Sequence, residues 1–242
     1  MIFGKPIQAA HGVFQFRAIG ARVTVLIEDG RAILVDTGLQ GSLIPITGGF
    51  KDLGLSLDQI DTIVITHAHP DHCGGLGEVV AGRNITVGAH REDAEVISGT
   101  KTAPNPLQNE LLARMAEPVL PKLMGGHVPV DLRLEDGDII PFGTEVRIVH
   151  LPGHTAGSIG LYLPSKRVII VGDALQYKFS RKLTPPSHRV TQDSEEALRS
   201  LKKLLVLDFD IICFSHFPPM RKNPRTALQN MIQEYAARRV TV

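Results

Sequence analysis

The chain has 242 residues, of which 43% are hydrophobic, and its 26 basic residues nearly balance its 25 acidic residues. This length and apolar content are sufficient to bury a substantial core as one domain spanning residues 1–242. The formal net charge of +1 lacks the basic excess of dedicated nucleic-acid binders, and no apolar run approaches the ~20 residues of a membrane-spanning helix. We therefore expect neither nucleic acid nor a membrane as a partner.

Two features of the sequence indicate a cytoplasmic location. The first residues, MIFGKPIQAAHG, lack the charged and apolar segments of a secretory signal. Cys73 and Cys213 are the only cysteines, which is weak support for a disulfide framework and fits a reducing compartment. We predict that both are small buried hydrophobic residues.

The first third of the chain is predicted to form strands joined by tight turns. Two apolar runs flank Asp29-Gly30, a pair typical of a short β-hairpin because glycine readily adopts the positive φ that the turn requires. The β-branched run at 62–66 predicts a buried central strand, and 84–90 predicts another.

Residues 101–127 have a different pattern, in which leucine and methionine recur at helical spacing between prolines. We predict one or two short helices that end at Gly125-Gly126. This helical insertion is a candidate for a lid or for a homodimer contact. Ordinary helices that cover a sheet are the simpler interpretation.

The second half of the chain returns to strands, which are predicted within 130–138, 144–151, 157–164, 167–173 and 209–216. Two helices follow: an amphipathic helix over 194–207, capped by Asp193 or Ser194, and a closing helix over 224–239. Strands dominate both halves and helices follow each set. The predicted fold is therefore α/β, with two sheets packed face to face and helices outside.

A cluster of metal-binding side chains directly follows the strand at 62–66. The sequence His-Ala-His-Pro-Asp-His places His67, His69, Asp71 and His72 within six residues. Neutral imidazole and carboxylate are ligands for divalent transition metals, and a buried core histidine explains one of these residues but not all four. So many donors exceed what one structural zinc needs from so short a segment. The sequence therefore favours two adjacent metal ions.

Three further candidate ligands lie at the ends of apolar strands. His154 follows a strand and a turn, Asp173 ends one apolar run, and His216 ends another. Rigid scaffolds display their site residues at such strand exits. Each alone is equally compatible with a turn aspartate or a surface histidine, but three in the same kind of position favour a shared site.

The motifs THAHPDHCGG, PGHTAGS, VGDAL and SH, in this order, resemble those of the metallo-β-lactamase superfamily of hydrolases. Asp36, in ILVDTG, resembles the aspartate that this family places early, at a strand end. The resemblance covers residues 36–216. It implies a four-layer αββα sandwich, in which two mixed β-sheets pack face to face with helices outside and a two-metal site lies at one edge.

The resemblance also implies seven metal ligands in three groups: His67, His69 and His154 for the first ion; Asp71, His72 and His216 for the second; and Asp173 as the bridge. Asp36 is implied to orient ligands, a role that such sites usually require. One departure is Ser215-His216-Phe217-Pro218, where many relatives have Gly-His-Gly. This loop is bulkier and stiffer, which weakens substrate analogies more than it weakens metal binding.

From this ligand set we predict hydrolysis of an ester, lactone or thioester bond by a metal-bridging hydroxide. Two cations about 3.5–4 Å apart share one hydroxide, because each lowers the pKa of bound water toward 7. Asp71 is predicted to orient the hydroxide and to pass a proton to the leaving group. Imidazole and carboxylate ligands suit zinc, with iron and manganese as alternatives.

The substrate is predicted to be a small molecule. Tyr177 lies four residues after Asp173, close to the position of a tyrosine that steadies the carbonyl group in lactone hydrolases of the superfamily; a tyrosine packed in a loop explains it equally well. The basic stretch 177–189 either binds an anionic group or is a solvated loop. Glyoxalase-II-type thioesterases of the superfamily have a C-terminal helical domain, whereas one closing helix is predicted here.

Two other functions remain open at this point. A phosphodiesterase acting on RNA or DNA is the main alternative, since the same fold hosts nucleases, although no basic arm is evident. The second alternative is a non-catalytic metal-binding protein. The complete set of seven predicted ligands argues against it.

Overall fold

The computed structural model describes residues 4–105, 107, 109–116, 118, 120–177 and 182–240. The strands in this part of the chain are β1 (Ile7–Ala10), β2 (Val13–Arg17), β3 (Arg22–Glu28), β4 (Arg31–Val35), β5 (Ile60–Ile65), β6 (Thr86–His90), β7 (Leu132–Leu134), β8 (Ile139–Phe142), β9 (Thr144–His150), β10 (Ile159–Leu163), β11 (Val168–Ile170), β12 (Gln176–Tyr177), β13 (Leu183–Thr184) and β14 (Ile211–Cys213). The α-helices are α1 (Leu43–Asp52), α2 (Pro70–Cys73), α3 (Leu76–Val80), α4 (Arg91–Ile97), α5 (Glu110–Ala116), α6 (Leu120–Leu123), α7 (Ser194–Ser200) and α8 (Pro224–Val240).

The first sheet has seven strands in the order β1-β2-β3-β4-β5-β6-β7. Its first four strands are antiparallel, and β4 to β7 are parallel. The predicted hairpin is confirmed: Glu28 pairs with Arg31, and Asp29 and Gly30 form the turn with φ of 49° and 74°. The predicted central strand is also confirmed, since β5 lies between β4 and β6.

The second sheet has five strands in the order β14-β11-β10-β9-β8. Strands β8 to β11 are antiparallel neighbours, whereas β11 and β14 are parallel. As a result β9, β11 and β14 all run in the same direction. A separate two-stranded ribbon joins β12 to β13.

The two sheets pack face to face, which confirms the predicted αββα sandwich. Side chains alternate between faces along β4: Ile33 and Val35 belong to the core between the sheets, whereas Ala32 and Leu34 belong to the core beneath the first sheet's helices. A third core packs the other face of the second sheet against its own helices. No helix of the described residues is both long enough and apolar enough to cross a membrane.

Helices in the first third of the chain were not predicted from the sequence, which indicated strands and turns there. Helix α1 contains a proline and two glycines, so its intrinsic helix propensity is low. It forms because it packs on the first sheet: Ile46 and Phe50 are fully buried, and the Phe50 ring meets the edge of Phe16 at 6.3 Å. Tertiary packing therefore overrides local propensity in this segment.

The later helices agree with the sequence predictions except in detail. Asp193 caps α7 by accepting hydrogen bonds from the backbone of Glu195 and Glu196. The predicted helix over 194–207 ends as an α-helix at Ser200 and continues as a 3₁₀ segment, Leu201–Val206. The two short helices predicted in the insertion are present as α5 and α6, although Pro106 lies outside the described residues.

Two adjacent glycines of α1 allow its packing on the sheet to be tested. A Cβ on Gly49 would lie 2.5 to 2.6 Å from the Phe16 ring, whereas a Cβ on Gly48 would have no atom within 4 Å. We expect Gly49→Ala to lower the free energy of unfolding by about 1–3 kcal/mol. We expect Gly48→Ala to raise it by about 0.5–1 kcal/mol, because alanine costs less backbone entropy in a helix. Urea denaturation measures both, and equal effects would contradict the packing described.

Candidate metal centre

The carboxyl ends of strands from both sheets meet at one edge of the sandwich. In the first sheet, β4 leads into Asp36 and β5 leads into Thr66 and His67. In the second sheet, β9, β11 and β14 end at the same edge because they run in the same direction. The backbone N–H of Ile159 donates to the carbonyl of Thr66 at 2.9 Å, which joins the two sheets at this edge. Side chains that follow these strands therefore face one another.

All seven side chains predicted as ligands are brought together at this edge. Their nitrogen and oxygen atoms form overlapping groups in which all the atoms of a group lie within 4.8 Å of one another. The groups are His67, His69 and His154; His67, His72 and Asp173; and Asp71, His72 and His216. These groups include the two sets that the family resemblance implies.

The first set consists of three imidazoles with closely spaced rings. His67 Nε2 lies 3.1 Å from His69 Nδ1, and the His154 ring centroid is 4.6 Å from each of the other two. Two nitrogens that bind one tetrahedral zinc at 2.0–2.1 Å lie roughly 3.4 Å from each other. The observed spacing therefore fits ligands that share one ion.

The second set contains a carboxylate and two imidazoles. Asp71 Oδ2 lies 3.7 Å from His72 Nε2 and 3.5 Å from His216 Nε2. Asp71 and His72 occupy the short helix α2, and His216 comes from the loop that follows β14. This set is the more open one, since the side chains of Asp71 and His216 are 33% and 28% exposed.

Asp173 lies between the two sets. One oxygen, Oδ1, is 3.7 Å from His72 Nε2, and the other, Oδ2, is 3.7 Å from His154 Nε2 and 3.1 Å from His216 Nε2. The Asp173 carboxylate thus lies within 3.7 Å of ligand nitrogens from both sets. Its role as a bridge between two ions stays a prediction.

Hydrogen bonds to Asp36 determine which nitrogen of His67 and His72 is free. The Asp36 carboxylate can only accept, so His72 Nδ1, at 2.8 Å, carries the proton. The Thr66 hydroxyl donates to Asp36 at 2.9 Å and therefore accepts from His67 Nδ1 at 3.1 Å. In His67, and in the neutral form of His72, the lone pair is therefore on Nε2, which faces the cluster.

The same reasoning applies to His154, through a residue that the sequence analysis did not identify. The Thr191 hydroxyl donates to the carbonyl of Ser187 at 2.8 Å, so it accepts from His154 Nδ1 at 3.2 Å. Thr191 is distant in the chain and carries no motif, so the sequence holds no signal for it. Within the described residues, the buried Nε2 atoms of His72 and His154 have no hydrogen-bond partner. Unpartnered buried nitrogens with free lone pairs fit a bound cation.

Asp36 is buried and has the contacts of an orienting residue. Beyond His72 and the Thr66 hydroxyl, it accepts the Thr66 backbone N–H at 2.7 Å and the Ser215 hydroxyl at 3.3 Å. Ser215 precedes His216 in the loop after β14, so Asp36 links loops of both sheets. Its own φ is 64°, a left-handed conformation that aspartate tolerates better than most residues.

The electrostatic environment differs between the two sets. Burial, together with the neighbouring histidines, holds the pKa of His67 and His69 well below 6.5, so both rings are neutral at pH 7. Burial also acts to lower the pKa of His72, but the nearby carboxylates, Asp36 foremost, outweigh it and raise that pKa to about 10. Burial acts to raise the pKa of Asp173, yet His72 and the adjacent histidines lower it. A cation at His72 Nε2 would replace the proton that these carboxylates attract.

Tyr177, the other predicted catalytic residue, packs against the loop that carries His216. Its ring stacks on Phe214, with centroids 5.8 Å apart and an interplanar angle of 10°. This contact gives Tyr177 a structural role, and its role with substrate stays a prediction. Part of the basic stretch, residues 178–181 with Lys178 and Arg181, lies outside the described residues.

Both cysteines are buried, as predicted. The thiol of Cys73 donates to the carbonyl of His69 at 3.2 Å, and Cys213 belongs to β14 within the core between the sheets. Burial raises the pKa of the Cys213 thiol to about 12 and also raises that of Cys73. Both thiols are therefore protonated at pH 7 and are poor metal ligands.

Comparison with known proteins places these features in a family. Residues 18–216 match the family profile of the Metallo-beta-lactamase superfamily. The chain is 28% identical to the probable metallo-hydrolase YflN of Bacillus subtilis (strain 168), over 94% of this chain and 92% of that protein. It is 27% identical to a hydroxyacylglutathione hydrolase of Cereibacter sphaeroides, over 77% of this chain and 58% of that protein. The structure of a metallo-beta-lactamase family protein from Thermus thermophilus matches with a TM-score of 0.69 and 26% identity, over 90% of this chain and 75% of that one.

A bound metal should stabilise the fold measurably. Each zinc ion, at 100 times its dissociation constant, is expected to raise the free energy of unfolding by about 2.7 kcal/mol, because it binds the folded state only. For a domain of this size the melting temperature would rise by about 5–10 °C per ion. Thermal melts of chelator-treated protein with and without added zinc measure the shift.

A matched pair of histidine variants tests whether the zinc-induced rise in melting temperature comes from this site. His154→Ala should lose the part of the rise in melting temperature that comes from the first ion, whereas His11→Ala, which alters an exposed histidine, should keep the whole rise. Equal rises in the two variants would contradict the site described.

Proposed function

This chain belongs to the metallo-beta-lactamase superfamily of metal-dependent hydrolases, and we propose that it uses two divalent ions to cleave an ester, lactone or thioester bond. The observation that carries this proposal is the position of Asp173 between two sets of ligand atoms. When bound, two such ions lower the pKa of water toward 7 and polarise a carbonyl group. The protein's own side chains would bind the ions, and one of them would accept a proton and deliver it to the leaving group.

Zinc is the ion that we propose for both positions. The seven candidate ligands are imidazoles and carboxylates, which suit zinc, and two of the rings are held neutral by burial. Iron and manganese accept the same ligand types and remain alternatives. Metal analysis of purified protein decides among them.

Asp71 is the group that we propose to transfer the proton. Its carboxylate is 33% exposed, compared with 10% for Asp173 and 1% for Asp36. Among these three carboxylates it is therefore the one that a substrate can reach. A carboxylate at the open side of the site can accept a proton from the nucleophile and deliver it to the leaving group.

An acyl substrate is favoured over a phosphodiester by two observations. One relative is named for hydrolysis of a hydroxyacylglutathione, although this chain corresponds to only 58% of its length. The formal net charge of +1 offers no basic excess for holding a nucleic acid strand. We therefore propose a small-molecule substrate.

The proposal predicts which substrates will be turned over. Zinc-loaded protein should hydrolyse at least one member of a panel of esters, lactones and thioesters faster than a generic phosphodiester. Asp71→Asn should lower kcat by about 10²–10⁴, because it removes a carboxylate proposed both to transfer the proton and to help hold the second ion. Asp136→Asn, a control at the surface, should leave kcat unchanged. Faster turnover of the phosphodiester would favour a nuclease-type activity instead.

A separate prediction concerns the hydroxyl of Tyr177. Phenylalanine preserves the stacking on Phe214, so Tyr177→Phe should leave the melting temperature unchanged. If the hydroxyl steadies the substrate carbonyl, as we propose, kcat should fall by roughly 10². Unchanged kcat in Tyr177→Phe, measured on the best substrate of the panel, would restrict Tyr177 to a packing role.

A further inference from the structure

A buried carboxylate that is not one of the candidate ligands lies beside the loops of the first set of imidazoles. Asp93 occupies α4, is only 4% exposed, and is not one of the seven candidate ligands. Its Oδ2 accepts the backbone N–H of Ala68 at 2.7 Å and the Thr155 hydroxyl at 2.8 Å. Its Oδ1 accepts the backbone N–H of Gly157 at 2.9 Å. Both oxygens of this carboxylate thus accept hydrogen bonds.

These donors come from the two loops that carry the first set. Ala68 stands between His67 and His69 in the loop after β5, and Thr155 directly follows His154 in the loop after β9. One carboxylate therefore spans the gap between the sheets and joins the loops on both sides.

The close approach of the loop to Asp93 explains a glycine in the sequence. A Cβ on Gly157 would lie 2.5 Å from both the carboxyl carbon and Oδ1 of Asp93. Any larger residue would push the loop away from the carboxylate. Glycine at this position is therefore a packing requirement of the Asp93 contact.

Asp36 provides a comparison within the same site. It contacts His72 directly and links loops of both sheets through Thr66 and Ser215. Among the described residues, the hydrogen bonds of Asp93 go to backbone and hydroxyl groups beside the ligands and to none of the ligand side chains. Asp36 and Asp93 thus each tie loops of the first sheet to loops of the second sheet.

We propose that Asp93 is the positioning residue of the first metal set, fixing the spacing of His67 and His69 relative to His154 and thereby the affinity of that set for its ion. This inference rests on the proposed two-metal site. Asp93 is thereby expected to affect binding of the ion at the first set and not binding of the ion at the second set.

The chemistry of the contact indicates which substitution removes it. A carboxylate accepts at both oxygens, whereas asparagine places an NH₂ group on one side. In Asp93→Asn that group would face either the N–H of Gly157 or the donors of Ala68 and Thr155. One loop would be released while the volume of the side chain is unchanged.

The test is a zinc titration against a competing chelator, supported by the absorption spectrum of the cobalt-loaded protein. Wild type is expected to bind two ions. Asp93→Asn should bind one ion with 10–100-fold lower affinity and keep the affinity of the other, since residues behind the ligands typically have effects of this size. Glu95→Gln is the matched control, because it makes the same charge change at an exposed position of α4 and should behave as wild type.

A conservative pair at Thr155 separates positioning from folding. Thr155→Ser keeps the hydroxyl and should retain wild-type affinity, whereas Thr155→Val should lose part of it at the same ion. Thermal melts of the metal-free proteins establish that each variant is folded. If Asp93→Asn does not fold, the difference in metal affinity between Thr155→Ser and Thr155→Val tests the proposal instead.

Three results would overturn the proposal: folded Asp93→Asn with both wild-type affinities, an equal loss at both ions, or equal affinities in the two Thr155 variants. A wild type that binds no ion would refute the proposed function itself. Measuring zinc binding by the wild type first therefore distinguishes failure of the Asp93 proposal from failure of the proposed function.

Discussion

The site depends on two buried carboxylates that accept hydrogen bonds from both sheets. A buried carboxylate is costly unless its oxygens are hydrogen-bonded. Asp36 meets this requirement with donors from Thr66, His72 and Ser215, and Asp93 meets it with donors from the loops after β5 and β9. The contacts that stabilise these anions therefore also hold the opposing loops at a fixed separation. Without that fixed separation, ligands from loops of the two sheets could not bind the same ion.

The ligand side chains differ in solvent exposure, so the site has a buried side and a side open to solvent. The side chains of His72 and His154 are 0% and 1% exposed, and hydrogen bonds to Asp36 and Thr191 fix their tautomers. Asp71 and His216, by contrast, are about one-third exposed. A rigid, water-excluded part suits metal binding, whereas an open part with a carboxylate suits proton transfer to a substrate. Substrate is accordingly expected to approach from the side of α2 and the loop after β14.

Much of this arrangement could be predicted from the sequence because the ligands are chemically distinctive and lie directly after apolar strands. The hairpin at Asp29-Gly30, the central strand β5 and the convergence of His154, Asp173 and His216 all follow from local patterns. Helix α1 could not be predicted, since packing against Phe16 and not local propensity makes it helical. Asp93 and Thr191 were missed for a different reason. Their roles arise from contacts across the sandwich, and an isolated aspartate or threonine carries no local signal of such a contact.

In the proposed centre, the two sets of side chains hold two ions that share Asp173. Anomalous diffraction from crystals grown with zinc, collected on both sides of the zinc absorption edge, would locate these ions. Two peaks per chain are expected, about 3.5–4 Å apart. One should lie about 2.0–2.1 Å from His67 Nε2, His69 Nδ1 and His154 Nε2, and the other beside His72 and His216. A single peak, or peaks remote from Asp173, would contradict the proposed centre.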